Sequence, residues 1–532
     1  MWTTDDLWGA GLSDAERDQL RLDVGRPAWE LQNDEGGGLI LARLLRPWLR
    51  YNPSAASQSA RCWLVWTGTH WTPDVWRCHL DLARELAAVW DAYADDVRRT
   101  SGDDAADAVA KWADKCRQVG RLEAALKIAS ALPALRVTSA DFDGPDCDYH
   151  LSCASGVIDV RTGDLHPHDP CRRMSLRSAP ASYEPNADWH GTRWAEHVER
   201  VTCGDVELAA YLQRLAGAAL WGVQREHVFA LWHGPRGGNG KGTTIRALTA
   251  ALGGGYVRKM GEGVLIKSRG RDSSGPAPDL VDFRGCRLIW TDELPDGAEV
   301  DANRVKSLTG GDTMRARGLF EGMSDTRPTW LLVAQSQTFP RMSIDGGMER
   351  RLQVMPWNAR VTSDDGGGDE FERLLADERD AILAWAVQGS IAAYEHGIRP
   401  PQQVREKTAR LMSEQDPIGA WIDEEMSLCT DGRAARHWIK SGEALSLYQQ
   451  WYDEQGMGSR PPTIWTLVRG LRRYGVIKDR VRLSTGERPN VFIGLRRRIA
   501  DTMQPELPAR YDYVRALDSD GVGPIEDAGG WR

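Results

Sequence analysis

One lysine in this sequence stands where phosphate chemistry could use it. The run His233-Gly234-Pro235-Arg236-Gly237-Gly238-Asn239-Gly240-Lys241-Gly242-Thr243-Thr244 follows the apolar stretch Val228-Phe229-Ala230-Leu231-Trp232. It precedes Ile245-Arg246-Ala247-Leu248, whose spacing is helical. Strand, glycine-rich turn and helix in that order make a cradle for phosphates. Glycines let backbone N–H groups turn inward, the helix N-terminus adds positive potential, and the lysine ammonium reaches the outer phosphates. Gly234, Gly237, Gly238, Asn239, Gly240, Lys241, Gly242, Thr243 and Thr244 are therefore the expected ATP-binding set. Two features depart from the usual loop. Five residues rather than four separate Gly234 from Gly240, which lets the loop bulge by one. Gly242 follows the lysine, so the hydroxyl that normally reaches Mg2+ is expected from Thr243.

About fifty residues beyond Lys241, the apolar stretch Arg287-Leu288-Ile289-Trp290-Thr291 ends in Asp292-Glu293. Asp292 is expected to hold Mg2+ and Glu293 to polarise an attacking water. Adjacent acids at a strand end are common on surfaces; the pairing with a phosphate loop at this distance is what gives them meaning. Downstream, Val305-Lys306-Ser307-Leu308-Thr309-Gly310-Gly311-Asp312-Thr313-Met314-Arg315-Ala316-Arg317 sets Lys306, Arg315 and Arg317 around a glycine turn. They are expected to face nucleic-acid phosphates, although a solvated basic loop would have the same residue types.

Holding these groups together needs a frame, and the pattern supplies one. Strand-like and helix-like stretches alternate through residues 223–398, which argues for an α/β unit with a mainly parallel sheet. Residues 1–80 are a Trp-rich N-terminal segment with Trp63-Leu64-Val65-Trp66 as a strand, and residues 81–222 read as mainly helical. Within the latter, short strands gather around Gly156-Val157-Ile158-Asp159-Val160, and one helical stretch runs from about 190 to 222. Pro400-Pro401 marks a linker. Residues 411–498 read as helices followed by a hairpin, a winged-helix pattern whose Tyr448, Trp451 and Tyr452 belong to its core, and 499–532 as a loose tail.

At 532 residues the chain exceeds one ordinary core, so two to four domains are expected. No apolar run approaches the ~20 residues of a membrane span. The start, Met1-Trp2-Thr3-Thr4-Asp5-Asp6, lacks the basic flank of a secretory signal, which points to a cytoplasmic protein without a membrane partner. The nine cysteines include no C-x-x-C pair. Cys147, His150 and Cys153 form the closest cluster, and ordinary thiols are the favoured reading over a zinc site. A net charge of −9 excludes a globally basic coat, yet from Arg469 to Arg498 ten Lys and Arg stand against Asp479 and Glu487. That local excess suggests phosphate contacts, with a protein–protein role for the module left open.

In order, Asn239-Gly240-Lys241-Gly242-Thr243, Trp290-Thr291-Asp292-Glu293 and Leu308-Thr309-Gly310-Gly311-Asp312 resemble superfamily 3 helicases. The nearest branch is the phage and plasmid primase–helicase C-terminal family, related to the poxvirus primase–helicase. Pro278-Asp279-Leu280 with Arg284-Gly285-Cys286-Arg287-Leu288, and Ile382-Leu383-Ala384-Trp385-Ala386-Val387-Gln388-Gly389, resemble further segments of that family. So do Gly156-Val157-Ile158-Asp159-Val160-Arg161-Thr162-Gly163 and Tyr211-Leu212-Gln213-Arg214-Leu215-Ala216-Gly217 upstream, and the resemblance covers roughly residues 60–495.

The resemblance implies an α/β fold: an AAA+ P-loop ATPase core, an N-terminal mainly helical collar region and a C-terminal winged helix. It implies ATP and Mg2+ as cofactors and a homo-oligomeric, hexameric ring with sites between subunits. The activity implied is that of a replicative DNA helicase of a phage or mobile element, moving 3′ to 5′ on single-stranded or forked DNA in a bacterial host cell. Gly347-Met348-Glu349-Arg350-Arg351-Leu352 matches the segment that delivers an arginine to the neighbouring site, so Arg350 or Arg351 is the candidate. Where the family has Thr-Asn at a strand end, Gln335-Ser336-Gln337 stands, and Gln335 or Gln337 would supply the amide that senses the γ-phosphate. Many relatives carry an N-terminal primase. With about 80 residues before the helical region and no metal-binding spacing around Asp5-Asp6 and His70, this chain is expected to make no primers and to act beside a separate primase. The alternative function is an ATP-assembled origin- or partner-binding scaffold with little helicase activity; a motor on RNA, or one serving defence, is a third.

Overall fold

The computed structural model describes residues 31–53, 62–138, 141–172, 174–267, 283–317, 323–360, 373, 375, 377–429, 437–456, 461–482 and 487–498. Pro278-Asp279-Leu280 and the tail 499–532 lie outside the described residues. The chain divides between Thr408 and Ala409 into two compact units.

The first unit contains two large apolar cores. In one, the helices Asp34–Leu44, Glu85–Ser101, Asp103–Cys116 and Val119–Ala131 pack around Leu41, Leu44, Leu86, Trp90, Leu122 and Leu126. The first of these starts at Asn33, whose side chain accepts from Gly36 N at 2.7 Å, with Asp34 and Glu35 complementing the helix dipole in the first turn. Strand Leu49–Tyr51 then pairs antiparallel with Trp63–Trp66, which pairs with Trp71–Pro73. Residues 34–51 thus share a core with 82–135, and the expected break near residue 80 does not separate them. The cause is long-range apolar contact, which local pattern does not report.

The other core surrounds a five-stranded sheet. Its strands are β1 (Phe229–His233), β2 (Val257–Met260), β3 (Leu288–Glu293), β4 (Leu331–Ser336) and β5 (Leu352–Pro356). They run in the order β5-β1-β4-β3-β2, every pair parallel. β1 and β4 are buried along their whole length, as central strands covered on both faces must be, and both begin as apolar runs, Phe229–Trp232 and Leu331–Ala334, for that reason. Helices α1 (Lys241–Tyr256), α2 (Ala302–Thr309), α3 (Gly346–Glu349) and α4 (Arg379–His396) follow β1, β3, β4 and β5 in turn.

An antiparallel sheet (His150–Cys153, Gly156–Asp159, Asp164–His166) and the helices Arg193–Val201 and Val206–Ala218 bury their apolar faces in this same core. The mainly helical region expected over 81–222 is shared between two cores, its second half packing with the central sheet. The helical stretch expected over about 190–222 contains two helices. Cys203, at φ 54°, breaks the first, and Asp205 caps the second by accepting from Leu208 N at 2.9 Å. A hairpin of Met314–Arg317 with Met323–Thr326 follows α2. Among the described residues no helix is long and apolar enough to cross a membrane.

In the second unit, helices Pro417–Glu425, Ser441–Glu454 and Ile464–Arg472 enclose Trp421, Tyr448, Leu467, Leu471 and Phe492. Strands Trp438–Lys440 and Ile477–Arg480 flank Asn490–Ile493, both antiparallel to it. Trp421, Trp438 and Trp451 are core residues; Trp465 is 77% exposed, 5.9 Å from the Lys478 ammonium.

Candidate nucleotide site

Because the strands are parallel, the C-terminal ends of β1, β3 and β4 lie along one edge, the edge where open parallel sheets bind ligands. The loop from Gly234 to Gly240 leaves β1 there. Gly234 N donates to Ser336 O at 3.1 Å, and Trp357 N donates to His233 O at 2.8 Å. Asn239, 4% exposed, donates from Nδ2 to Arg236 O at 2.8 Å and Trp357 O at 3.4 Å. The first of these bonds closes a turn over the additional loop residue. Two of the loop's glycines are required by their surroundings. Gly240 has φ 86°, and a Cβ on it would lie 2.5 Å from Val201 Cγ1. A Cβ on Gly234 would overlap the Asn239 amide and Trp357 O.

Lys241, 5% exposed, reaches Ser336 O at 3.2 Å and Glu293 Oε1 at 3.5 Å. Burial lowers its pKa, and the Glu293 charge and hydrogen bond partly restore it. Gln337 donates from Nε2 to Glu293 Oε2 at 2.6 Å. Lysine, carboxylate and amide, drawn from α1, β3 and the residue beyond β4's end, thus converge. Successive side chains of a strand face opposite ways. Asp292 accordingly turns from Lys241 and pairs with Lys259 of β2, whose ammonium also lies 5.6 Å from the Trp290 ring. Of the two glutamines left open by the sequence, Gln335 sits buried within β4, its carbonyl accepting from Leu294 N at 2.8 Å; Gln337 is the one that touches the carboxylate.

The two threonines after the lysine part company. Thr244 is fully buried, donating to Gly240 O at 3.0 Å and lying 2.8 Å from His197 Nε2. Thr243 is half-buried and accepts from Arg246 at 3.5 Å; the structure does not bring it to Asp292. His197, on helix Arg193–Val201, escaped the sequence reading because a lone histidine at i+3 from Trp194 and i−4 from Val201 looks like any core position. Burial pushes its pKa down to about 4, with Arg200 adding to the effect. The folded value lies below the ordinary 6.5, so the unfolded chain takes up a proton first as pH falls. The stability due to the neutral ring is complete above about pH 6.5 and is lost between pH 6.5 and 4, by roughly 3 kcal/mol. His197→Gln is expected to flatten this part of the stability–pH profile in urea unfolding. An unchanged slope would remove His197 as its source.

Lys306 meets an ion pair where nucleic-acid contact was expected. Its ammonium lies 2.8 Å from Asp345 Oδ2, tying α2 to the start of α3. Asp345 also caps α3, accepting from Gly347 N at 3.1 Å and Met348 N at 3.0 Å. Burial raises its pKa, but Lys306 and these N–H groups outweigh that and hold it below the usual range. Arg315 and Arg317 lie on the hairpin strand Met314–Arg317, their side chains outside the described residues. Arg351 folds back to donate to Gly347 O at 2.9 Å, whereas Arg350 is exposed and donates from Nε to Gly346 O at 3.2 Å.

No group of three His, Cys, Asp or Glu side chains among the described residues could hold a metal. Cys147 turns to Met174 O, His150 to Asp146 O and Cys153 to Ser155. Mg2+ held mainly by phosphates needs only one or two protein oxygens, and the hard donors Asp292, Glu293 and Thr243 suit it.

Residues 42–203 match the family described as D5 N terminal like. That span ends with the helix carrying His197 and Val201, so its last turns lie against the phosphate loop. A candidate helicase of Acanthamoeba polyphaga mimivirus is 28% identical over 347 residues, a match taking in 62% of this chain and 35% of that protein. The chain thus spans about a third of the length of the curated relative it matches. Among solved structures, the apo C-terminal region of NrS-1 is 12% identical with a TM-score of 0.41, covering 62% of this chain and 81% of that one. JCV helicase with a bound small molecule is 11% identical with a TM-score of 0.20, covering 44% and 74%.

Proposed function

We propose that this chain, whose residues 42–203 match the D5 N-terminal-like family, is a superfamily 3 DNA helicase driven by ATP hydrolysis. The observation that carries the reading is the convergence of Lys241, Glu293 and Gln337 beside a loop whose Gly234 and Gly240 leave no room for side chains. Similarity to a candidate viral helicase supports a nucleic-acid motor. The order β5-β1-β4-β3-β2 supports an AAA+ P-loop core, because it sets the sensing strand β4 between the loop strand and the acidic strand. One amide at the end of β4 can then feel the phosphates and the carboxylate together. The helices and antiparallel strands of the second unit support the winged-helix reading, and Ile464–Arg472 exposes Trp465, Arg469 and Arg472 along one side, suited to nucleic-acid phosphates.

In this account the triphosphate lies along Gly234–Thr244 with Lys241 at its β- and γ-phosphates. A γ-phosphate draws the Lys241 ammonium from Glu293, which is then free to take the proton of the attacking water, while Gln337 orients that carboxylate. Asp292, released from Lys259, would hold Mg2+ together with Thr243, and the ion would offset phosphate charge. Arg350 of a neighbouring copy in a hexameric ring completes the site. The ring moves 3′ to 5′ on DNA beside a separate primase, in the bacterial host of a phage or mobile element.

Thr243→Ala is expected to raise the Mg2+ concentration for half-maximal hydrolysis severalfold, with thermal stability unchanged. Thr244→Ala is expected to cost about 1–2 kcal/mol of stability by removing the buried hydroxyl that His197 and Gly240 share. A Mg2+ titration of Thr243→Ala indistinguishable from wild type would take Thr243 out of the metal's shell. The function itself is tested by strand displacement on forked duplexes with a 3′ or a 5′ tail, in ATP and Mg2+. Displacement with the 3′ tail is expected; ATP-dependent oligomers that displace nothing would favour the scaffold.

A further inference from the structure

Building on the reading of Gly234–Thr244 as a triphosphate site, we infer that His197, on helix Arg193–Val201, is a positioning residue that fixes the phosphate-binding backbone at Gly240–Lys241. Glycines let this loop take its shape but do not hold it there. Gly240 has φ 86° and no side chain to lock the peptide that follows it. The restraint comes from outside the loop, at two points on one helix. Val201 Cγ1 stands where a Cβ on Gly240 would have to go, so the glycine is pressed from that side. His197 acts on the same residue through Thr244, whose hydroxyl oxygen lies 2.8 Å from its Nε2.

The direction of these bonds follows from what each group can give. A hydroxyl has one hydrogen, and Thr244 donates its own to Gly240 O at 3.0 Å, beside the helical bond from Thr244 N at 2.9 Å. The hydroxyl oxygen is left to accept, so His197 carries its proton on Nε2 and donates it. The chain from His197 through Thr244 pins the Gly240 carbonyl along α1. In a trans peptide the carbonyl and the following N–H point opposite ways. Pinning Gly240 O therefore aims Lys241 N–H back out of α1 into the loop, where the positive end of the helix meets phosphate. The helix that does this is itself braced. Glu378, the N-cap of α4, accepts from Arg193 N at 3.0 Å and Trp194 N at 2.9 Å. The Trp194 ring stacks on His197 at 5.5 Å and meets Trp385 edge-on at 5.0 Å. Lys241, Glu293 and Gln337 hold their contacts without His197, so its role bears on how tightly phosphates bind rather than how fast they react.

The test is calorimetric titration of the full chain in Mg2+ with inorganic tripolyphosphate, alongside ATP turnover and thermal unfolding. His197→Leu keeps apolar bulk beside Trp194 and removes the donor. It is expected to weaken tripolyphosphate about tenfold and to raise KM for ATP by a similar factor, with kcat within about twofold of wild type. His197→Gln carries an amide N–H where Nε2 stood and should bring the affinity back to within about twofold. His197→Asn, whose shorter amide reaches only the Nδ1 position, should bind like His197→Leu, and it carries the test should the leucine variant not fold. A purely structural role would make affinity follow the thermal midpoint; here the Gln and Asn variants should melt alike and bind differently. Wild-type affinity in His197→Leu or His197→Asn, or equal weakening in the Gln and Asn variants, would overturn the role of His197 while leaving the phosphate site intact. Failure of tripolyphosphate to bind wild type, or its undiminished binding to Lys241→Ala, would instead overturn the phosphate site.

Discussion

Replacing Lys241 by alanine is expected to lower ATP hydrolysis by about a thousandfold and to abolish strand displacement. The ammonium is the only cation among the described residues that contacts Glu293, and it lies at the mouth of the loop. Without it the developing charge on the β–γ bridge loses the cation that the loop itself supplies. The fold should survive. Lys241 is a buried cation whose pKa is already lowered by burial, so its removal relieves a desolvation cost, and Glu293 keeps its bond from Gln337. Phosphate release measured alongside thermal unfolding separates the two effects. A stable variant that keeps more than about a tenth of wild-type turnover would mean that the loop does not position the reacting phosphates.

Arg350→Ala is expected to slow hydrolysis by about a thousandfold or more while ATP affinity stays within about twofold, because an arginine supplied by a neighbour acts in the transition state. Mixing it with Glu293→Gln should restore part of the activity, since a Glu293→Gln subunit still offers Arg350 to a neighbour with an intact carboxylate. Arg351→Ala should affect folding more than catalysis. Its guanidinium is only partly exposed and bonds to Gly347 O, a contact that alanine removes. Wild-type turnover in Arg350→Ala, or no recovery on mixing two inactive variants, would contradict a site shared between subunits.

Much of the frame was legible because burial on both faces writes itself as unbroken apolar sequence, as in Phe229-Ala230-Leu231-Trp232 and Leu331-Leu332-Val333-Ala334. The separation of Lys241 from Asp292-Glu293 likewise pointed to groups that meet. What local pattern could not give was direction. Asp292 and Glu293 are adjacent on a strand, so only one can face Lys241, and the choice follows from the packing of β3 between β4 and β2. Gln337 and Gln335 pose the same question, decided by where β4 ends. Lys306 looked available because its partner Asp345 is remote in sequence. His197 and the break at Cys203 were hidden in a stretch whose spacing is ordinary helix, and both matter only because that stretch packs against the phosphate loop.

The most direct test of an ATP-driven motor is the steady rate of phosphate release by the full chain in Mg2+, with and without single-stranded DNA, beside Glu293→Gln. The account predicts a wild-type rate that single-stranded DNA raises severalfold, and a Glu293→Gln protein that binds ATP but turns it over at least about a hundredfold more slowly. A wild-type protein that binds ATP yet releases phosphate no faster than Glu293→Gln, with DNA present or absent, would contradict it.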